Sequence, residues 1–234
     1  MDKQGNKYTF LYASIMVIVV ATVLASVSEA LTPMQKQNEK EAKMGDILQS
    51  VNIEIPNGNV AEQYNKYIGD DSYIVNFEGE TVTSDAQAAF NVNLSREVSK
   101  PLEERQYPIY ECHLDNGEVK YILPVRGKGL WGPIWGYIAL NDDKETIYGT
   151  TFDHQGETPG LGAEISKLPF QRQFRGKRIF NEEDELTSIQ VVKGEASPDD
   201  PHRVDGISGG TITSQGVENM LEDYFTGYKA FLKK

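Results

Sequence analysis

Residues 8–28, YTFLYASIMVIVVATVLASVS, carry no charged side chain. The run is roughly 21 residues, about 32 Å as a helix, long enough to cross a hydrocarbon core. A cleaved signal peptide is the competing reading, since Lys3 and Lys7 precede the run and Ser28-Glu29-Ala30 resembles a small-x-small cleavage site. Signal cores are usually about 7–15 apolar residues, so the length favours a retained membrane anchor. Lysines stand on both sides, Lys3 and Lys7 before the run and Lys36, Lys40 and Lys43 after it. The positive-inside rule therefore leaves the orientation open.

The expected organisation is an anchor over residues 1–31, a juxtamembrane helix over 32–51 and one domain over 52–234. In the second segment Thr32 suits a helix cap and Pro33 a first helical position, and Met44, Ile47, Leu48 and Val51 form an apolar stripe. With 234 residues, 39% of them hydrophobic, one good-sized core is within reach. The net charge of -12 repels phosphate backbones, which argues against nucleic acid as a partner. One cysteine, Cys112, allows no internal disulfide, and His113, His154 and His202 follow no metal-ligand spacing, so no metal site is expected.

Strand candidates follow one another too closely for intervening helices. Asn57-Gly58 marks a turn, and residues 72–82 read as a hairpin around Glu78-Gly79-Glu80. Residues 84–104 are polar and read as a loop with partial helix. Four strands then begin near Tyr107, Val119, Ile134 and Thr146, with one more after Leu186. The fold class is α+β, a largely antiparallel sheet with flanking helices and one N-terminal transmembrane helix. GAEISKLPFQRQFRGK, residues 162–177, reads as a helix followed by a loop. Residues 196–206, ASPDDPHRVDG, read as a loop. Val217, Leu221, Tyr224, Phe225, Tyr228, Phe231 and Leu232 recur at helical spacing and predict a final amphipathic helix.

Just before that helix stands DGISGGTITS, residues 205–214. A flexible loop ending in a Ser or Thr helix cap accounts for its composition. Gly206-Ile207-Ser208-Gly209-Gly210 matches G-x-S-x-G, but a hydrolase elbow needs a buried strand before it and a histidine after it. The preceding SPDDPHRVD reads as no core strand, and no histidine follows Ser208. The Walker pattern and G-x-G-x-x-G are absent, which disfavours an exchanging nucleotide site.

The same residues resemble the flavinylation motif D-G-x-S/T-G-A-T, with Gly210 where alanine is usual. That resemblance implies FMN joined through its phosphate to the Thr211 hydroxyl by a dedicated flavin transferase. Asp205, Ser208 and Gly209 would be the determinants the transferase reads. Small neighbours leave a hydroxyl accessible to a second enzyme, and a helix entrance favours the anionic phosphodiester.

HQGETPGLGAEI, residues 154–165, and GKGLWGPIWGYIAL, residues 127–140, are similar to segments of FMN-binding domains. This family includes the C subunits of sodium-translocating NADH:quinone oxidoreductases and the G subunits of Rnf-type electron-transport complexes; the G-K-G-L-W run favours the former. Taken alone, Thr158-Pro159-Gly160-Leu161-Gly162 is a tight turn. Beside the motif, it is expected to wrap the flavin, with Glu157 and Thr158 offering hydrogen bonds. Trp131, Trp135 and Tyr137 are candidates to shield the ring, and Lys128 to neighbour the phosphate. The resemblance implies an electron carrier without its own substrate pocket, working with the other components of a membrane oxidoreductase complex. It also implies that the domain lies outside the cytoplasmic membrane. An anchored extracytoplasmic binding domain that never receives flavin remains the alternative from another class.

Overall fold

A computed structural model of the chain describes residues 6–55 and 58–234. Lys3 of the orientation argument and Asn57 of the expected turn lie outside the described residues. The chain divides into two compact units at Lys43/Met44. In the first, helix α1 (Asn6–Ser50) begins, and its N-terminal part is long and apolar enough to cross a membrane. Phe10, Leu11, Ile15, Val17 and Leu24 are all exposed there. No new helix starts at Thr32. The Thr32 hydroxyl instead donates to the Ser28 carbonyl at 2.9 Å, and Pro33 lies inside α1.

The second unit is built on a six-stranded sheet in the order β2-β1-β3-β4-β5-β6, antiparallel throughout. Its strands are β1 (Ser72–Val75), β2 (Thr81–Thr83), β3 (Tyr107–His113), β4 (Val119–Lys128), β5 (Pro133–Leu140) and β6 (Ile147–His154). Helix α2 (Val60–Tyr67) precedes the sheet. Short helices α3 (Ala86–Phe90) and α4 (Leu94–Glu97) occupy the polar 84–104 stretch, capped by the Asp85 and Asn93 side chains. Residues 162–177 form three short pieces in place of one helix. A 3-10 turn (Gly162–Ser166) leads to α5 (Leu168–Gln171), started by Pro169, and to a second 3-10 turn (Arg172–Phe174).

Alternation along the strands splits the interior in two. Leu123, Val125, Ile134, Ile138 and Leu140 face helix α6 (Thr211–Leu232), which buries Val217, Leu221, Tyr224, Phe225 and Tyr228 against them. Ile122, Tyr137 and Ala139 point the other way, onto Met44, Ile47, Leu48, Tyr64 and Ile68. Cys112 lies in that second cluster, where burial pushes its thiol up to about 12; it is no nucleophile at neutral pH.

Two expectations near the motif need correction. Arg203–Asp205 is a short strand, β8, paired in parallel with β7 (Gln190–Val192), and Val204 is buried beneath it. The polar neighbours that make this segment look like a loop are solvated, while one valine supplies the inward face. Helix α6 also starts at Thr211, inside the motif, and its cap is Gly210 with no side-chain bond. The expected Ser or Thr cap is absent because the capping position falls on Gly210, which has no side chain to offer.

One charge in this unit is poorly solvated. Burial, with Asp153 beside it, pushes the Asp46 carboxyl up from 3.8 to about 6. A carboxyl whose folded pKa exceeds its unfolded one holds its proton more tightly when folded. Stability therefore falls as pH rises from about 4 to about 6, and the loss is complete above that window. Asp46→Asn is expected to raise the unfolding free energy of the detergent-solubilised chain by about 1–2 kcal/mol at pH 8, solvent screening included. Urea titrations at pH 8 and near pH 4 check this: the gain should disappear in acid, and an equal gain at both pH values refutes it.

Candidate functional site

Three segments converge where α6 begins. The first is the turn between β4 and β5, closed by a 2.8 Å bond from Gly129 N–H to the Gly132 carbonyl. The second is the 158–162 turn after β6, in which Leu161 and Ala163 N–H both reach the Thr158 carbonyl at 3.1 and 3.2 Å. Gly160 sits at φ +75, a left-handed conformation that glycine adopts without strain. The third is the motif loop, residues 206–210.

Glu157, which leads into the second, ties the first to the opening turn of α6. It is 5% exposed, and one carboxylate oxygen accepts the Trp131 N–H at 2.8 Å while the other accepts the Thr213 hydroxyl at 2.5 Å. Its own N–H donates to His154 Nδ1 at 3.2 Å. Expected as a flavin hydrogen-bonder, Glu157 faces inward and serves the chain itself. Thr213 lies on the third residue of α6, where the helix dipole favours a nearby carboxylate.

The motif loop then lies directly on the turn. A Cβ on Gly209, itself at φ +74, would come within 2.6 Å of Leu161 Cδ2. One on Gly210 would meet Ile207 Cγ2 at 2.9 Å and the Gly162 nitrogen at 3.2 Å. Glycine in place of the usual alanine at 210 thus goes with the branched Ile207 beside it. The loop is held by Ile207 N–H to Ser214 Oγ at 2.9 Å and Gly210 N–H to the Ile207 carbonyl at 2.9 Å.

These bonds sort the four hydroxyls of the segment. Thr213 and Ser214 are buried and occupied; Ser208 and Thr211 are exposed. Leu130 and Trp131 on the first turn, Leu161 on the second and Ile212 next to Thr211 in the chain are exposed by 47, 68, 41 and 59%. Thr158 is exposed on its turn and Lys128 at the end of β4. Gly162 and Gly210 are buried between the loops. Asp205 is half-buried at the end of β8.

The structure does not bring Trp135 or Tyr137 to this place. Both occupy positions of β5 that point to the opposite face of the sheet from α6. Tyr137 is buried in the second core, and Trp135 lines a cavity of about 190 Å³ with Asp46 and Asp153. Sequence reasoning passes over Thr213 and Ser214. A signal is present: Thr213 extends the buried Val217, Leu221 stripe backward by one turn, at spacing i−4.

The surface around Thr211 is open. A cleft of about 600 Å³ lies to one side, lined by Gln173, Lys177, Arg203 and Asp205 among others, and Thr211 is not part of its wall. Glu157→Ala leaves the Trp131 N–H and the buried Thr213 hydroxyl without their acceptor, while Thr213→Val keeps the shape but leaves one oxygen of the buried carboxylate without its donor; each is expected to cost about 2–3 kcal/mol of stability. Denaturant unfolding of both variants checks this, and a cost below about 0.5 kcal/mol in both would show that Glu157 does not join the segments.

Residues 129–226 match the FMN-binding domain model. The chain is 32% identical over 249 residues to the Na(+)-translocating NADH-quinone reductase C subunit of Haemophilus ducreyi, covering 100% of this chain and 95% of that protein. It is 33% identical over 226 residues to the C subunit of the same reductase from Vibrio alginolyticus, covering 92% of this chain and 88% of that one. A crystal structure of the Na(+)-translocating NADH-quinone reductase C subunit from Parabacteroides distasonis superposes with a TM-score of 0.78 at 45% identity, over 87% of this chain and 98% of that one. A full-length likeness at this identity, joined to the antiparallel sheet and the loops around Thr211, leaves one conclusion: the chain belongs to the family of Na(+)-translocating NADH-quinone reductase C subunits.

Proposed function

We propose that this chain is the membrane-anchored electron-transfer component of a Na(+)-translocating NADH-quinone reductase, and that it carries FMN bound covalently through phosphate to Thr211. The membership of the family and the FMN-binding domain support an FMN-binding role in that complex. The covalent link rests chiefly on one observation. Of the four hydroxyls at the start of α6, Thr211 is exposed on the helix's first residue, while Thr213 and Ser214 are buried and hydrogen-bonded.

The residues present fit the group. Gly210 caps α6 without a side-chain bond, so the N–H groups of the first turn are available to a phosphodiester, and the helix dipole favours its charge. Gly209 at φ +74, with no side chain of its own, lets the motif loop lie against Leu161. In attachment the Thr211 oxygen would bond to the phosphorus of an activated FMN anhydride while its hydroxyl proton passed to a base of the flavin transferase; the anhydride P–O bond would break and the other half would leave as a phosphate monoester. Lys128 is suited to stand near the phosphate. Trp131, Leu161, Thr158 and the Gly160 and Gly162 turn form the wall that receives the ring and ribityl chain, with Leu130 and Ile212 widening its apolar rim.

Once bound, FMN supplies one-electron redox chemistry, and the chain supplies position and surroundings. A shallow site of this kind holds a free ligand weakly; a tether keeps the flavin at high local concentration regardless. Helix α1 supplies the anchor in this reading. The globular unit lies on the extracytoplasmic side, and the remaining components of the membrane complex are its partners.

Co-expression with a flavin transferase, followed by a denaturing gel, tests the link. Flavin fluorescence should stay with the wild-type band, vanish in Thr211→Ala, and persist at least in part in Thr213→Ala and Ser208→Ala. Fluorescence surviving in Thr211→Ala shows the acceptor to be another residue. A dark wild-type band favours the flavin-free binding domain.

A further inference from the structure

We propose that Asp205, the first residue of the attachment motif, acts from inside the chain as a positioning residue. Its carboxylate latches the 196–201 loop and thereby fixes how residues 206–210 leave β8 toward Thr211. The inference rests on Thr211 being the attachment point. It differs from the motif resemblance, which makes Asp205 a determinant read by the transferase.

The bonds around Asp205 are all internal. One carboxylate oxygen accepts the Ala196 N–H at 2.5 Å. The Asp205 N–H donates to Gln173 Oε1 at 2.7 Å, and Gly206 N–H continues the parallel pairing by donating to the Val192 carbonyl at 2.8 Å. Asp205 is therefore the last residue of the chain held in regular pairing before the loop departs.

The loop it grips is fastened at its other end too. Buried Lys177 donates through Nζ to the carbonyls of Pro198 and Asp200 at 3.2 and 2.5 Å, and Arg178 N–H reaches the Pro201 carbonyl at 2.8 Å. A proline- and aspartate-rich stretch with no strand or helix of its own is thus fixed at two points, along the wall of the 600 Å³ cleft. Without the Asp205 carboxylate, the Ala196 end is free, and the exit of β8 is held only by the backbone bonds to Gln173 and Val192, without the loop packed against it. Ser208, Gly209 and Thr211, all exposed, are the residues left for the transferase to read.

The two roles rank substitutions in opposite orders. Asp205→Asn keeps an acceptor oxygen in place and loses the charge. Asp205→Glu keeps the charge and moves the oxygens by one methylene. Ala196→Pro removes the donor and leaves the carboxylate untouched. Initial rates of flavin attachment to the full chain in detergent, by in-gel fluorescence, are to be measured beside thermal melting and amide hydrogen exchange of the unmodified chain.

An internal latch predicts that Asp205→Asn stays within about threefold of wild type, while Asp205→Glu, Asp205→Ala and Ala196→Pro fall by about tenfold or more. The Ala196 amide should exchange slowly in wild type and Asp205→Asn and fast in Asp205→Ala. The proposal is overturned if Asp205→Glu retains the rate while Asp205→Asn falls as far as Asp205→Ala. It is overturned equally if Ala196→Pro melts normally and is modified at the wild-type rate. A wild-type chain that takes no flavin refutes the attachment reading instead, and the exchange data still decide whether the latch exists.

Discussion

The carboxylate of Glu157 is the contact on which the site's geometry depends. It sits three residues past β6, almost without solvent, and uses one oxygen on the β4–β5 turn and the other on the first turn of α6. A buried carboxylate is costly unless its oxygens find donors, so each of those segments is held at hydrogen-bond distance or the charge goes unsatisfied. Close backbone approach completes the arrangement. A Cβ on Gly216 of α6 would run into the Lys128 carbonyl, and one on Gly127 would lie 2.7 Å from Met220 Cβ. The helix therefore meets β4 at its glycines, and Thr211 is left on the rim.

This arrangement separates work between inward and outward groups. Glu157, Thr213, Ser214 and Asp205 use their polar atoms within the chain, tying the loops to α6 and to one another. Thr211, Thr158 and the apolar rim of Trp131, Leu130, Leu161 and Ile212 are left to whatever the site holds. On the proposed reading that division suits an electron carrier. The residues need hold no proton in transit and activate no nucleophile during turnover; they need only fix where the flavin sits. A covalent tether then does what an enclosed pocket would otherwise do.

Much of the architecture is legible in the sequence because it is written in periodicity. The uncharged 8–28 run, the α6 stripe and the closely spaced strands each declare themselves without tertiary information, and the antiparallel sheet follows from the short connections. What escapes is set by contacts distant in sequence. Three residues of β8 pair only because Val191 lies alongside Val204, and nothing in SPDDPHRVD announces this. Thr32 and Pro33 look like a helix start, yet the helix runs through them once the Thr32 hydroxyl bonds backward. Period-two alternation puts Trp135 and Tyr137 on one face of β5. Which face meets α6 is a tertiary fact, so a reading of the sequence wrongly groups both with Trp131. At the site itself, the exposed Thr211 is readable from its glycine neighbours, whereas the internal partners of Glu157 and Asp205 are not.

Intact-mass measurement with peptide mapping, on the chain purified from membranes of cells that perform this modification, addresses the central claim most directly. The account predicts a chain heavier by one FMN less one water, with the added mass on the Thr211 side chain. A chain of unmodified mass, or the adduct on Ser208, Thr213 or Ser214, would contradict it.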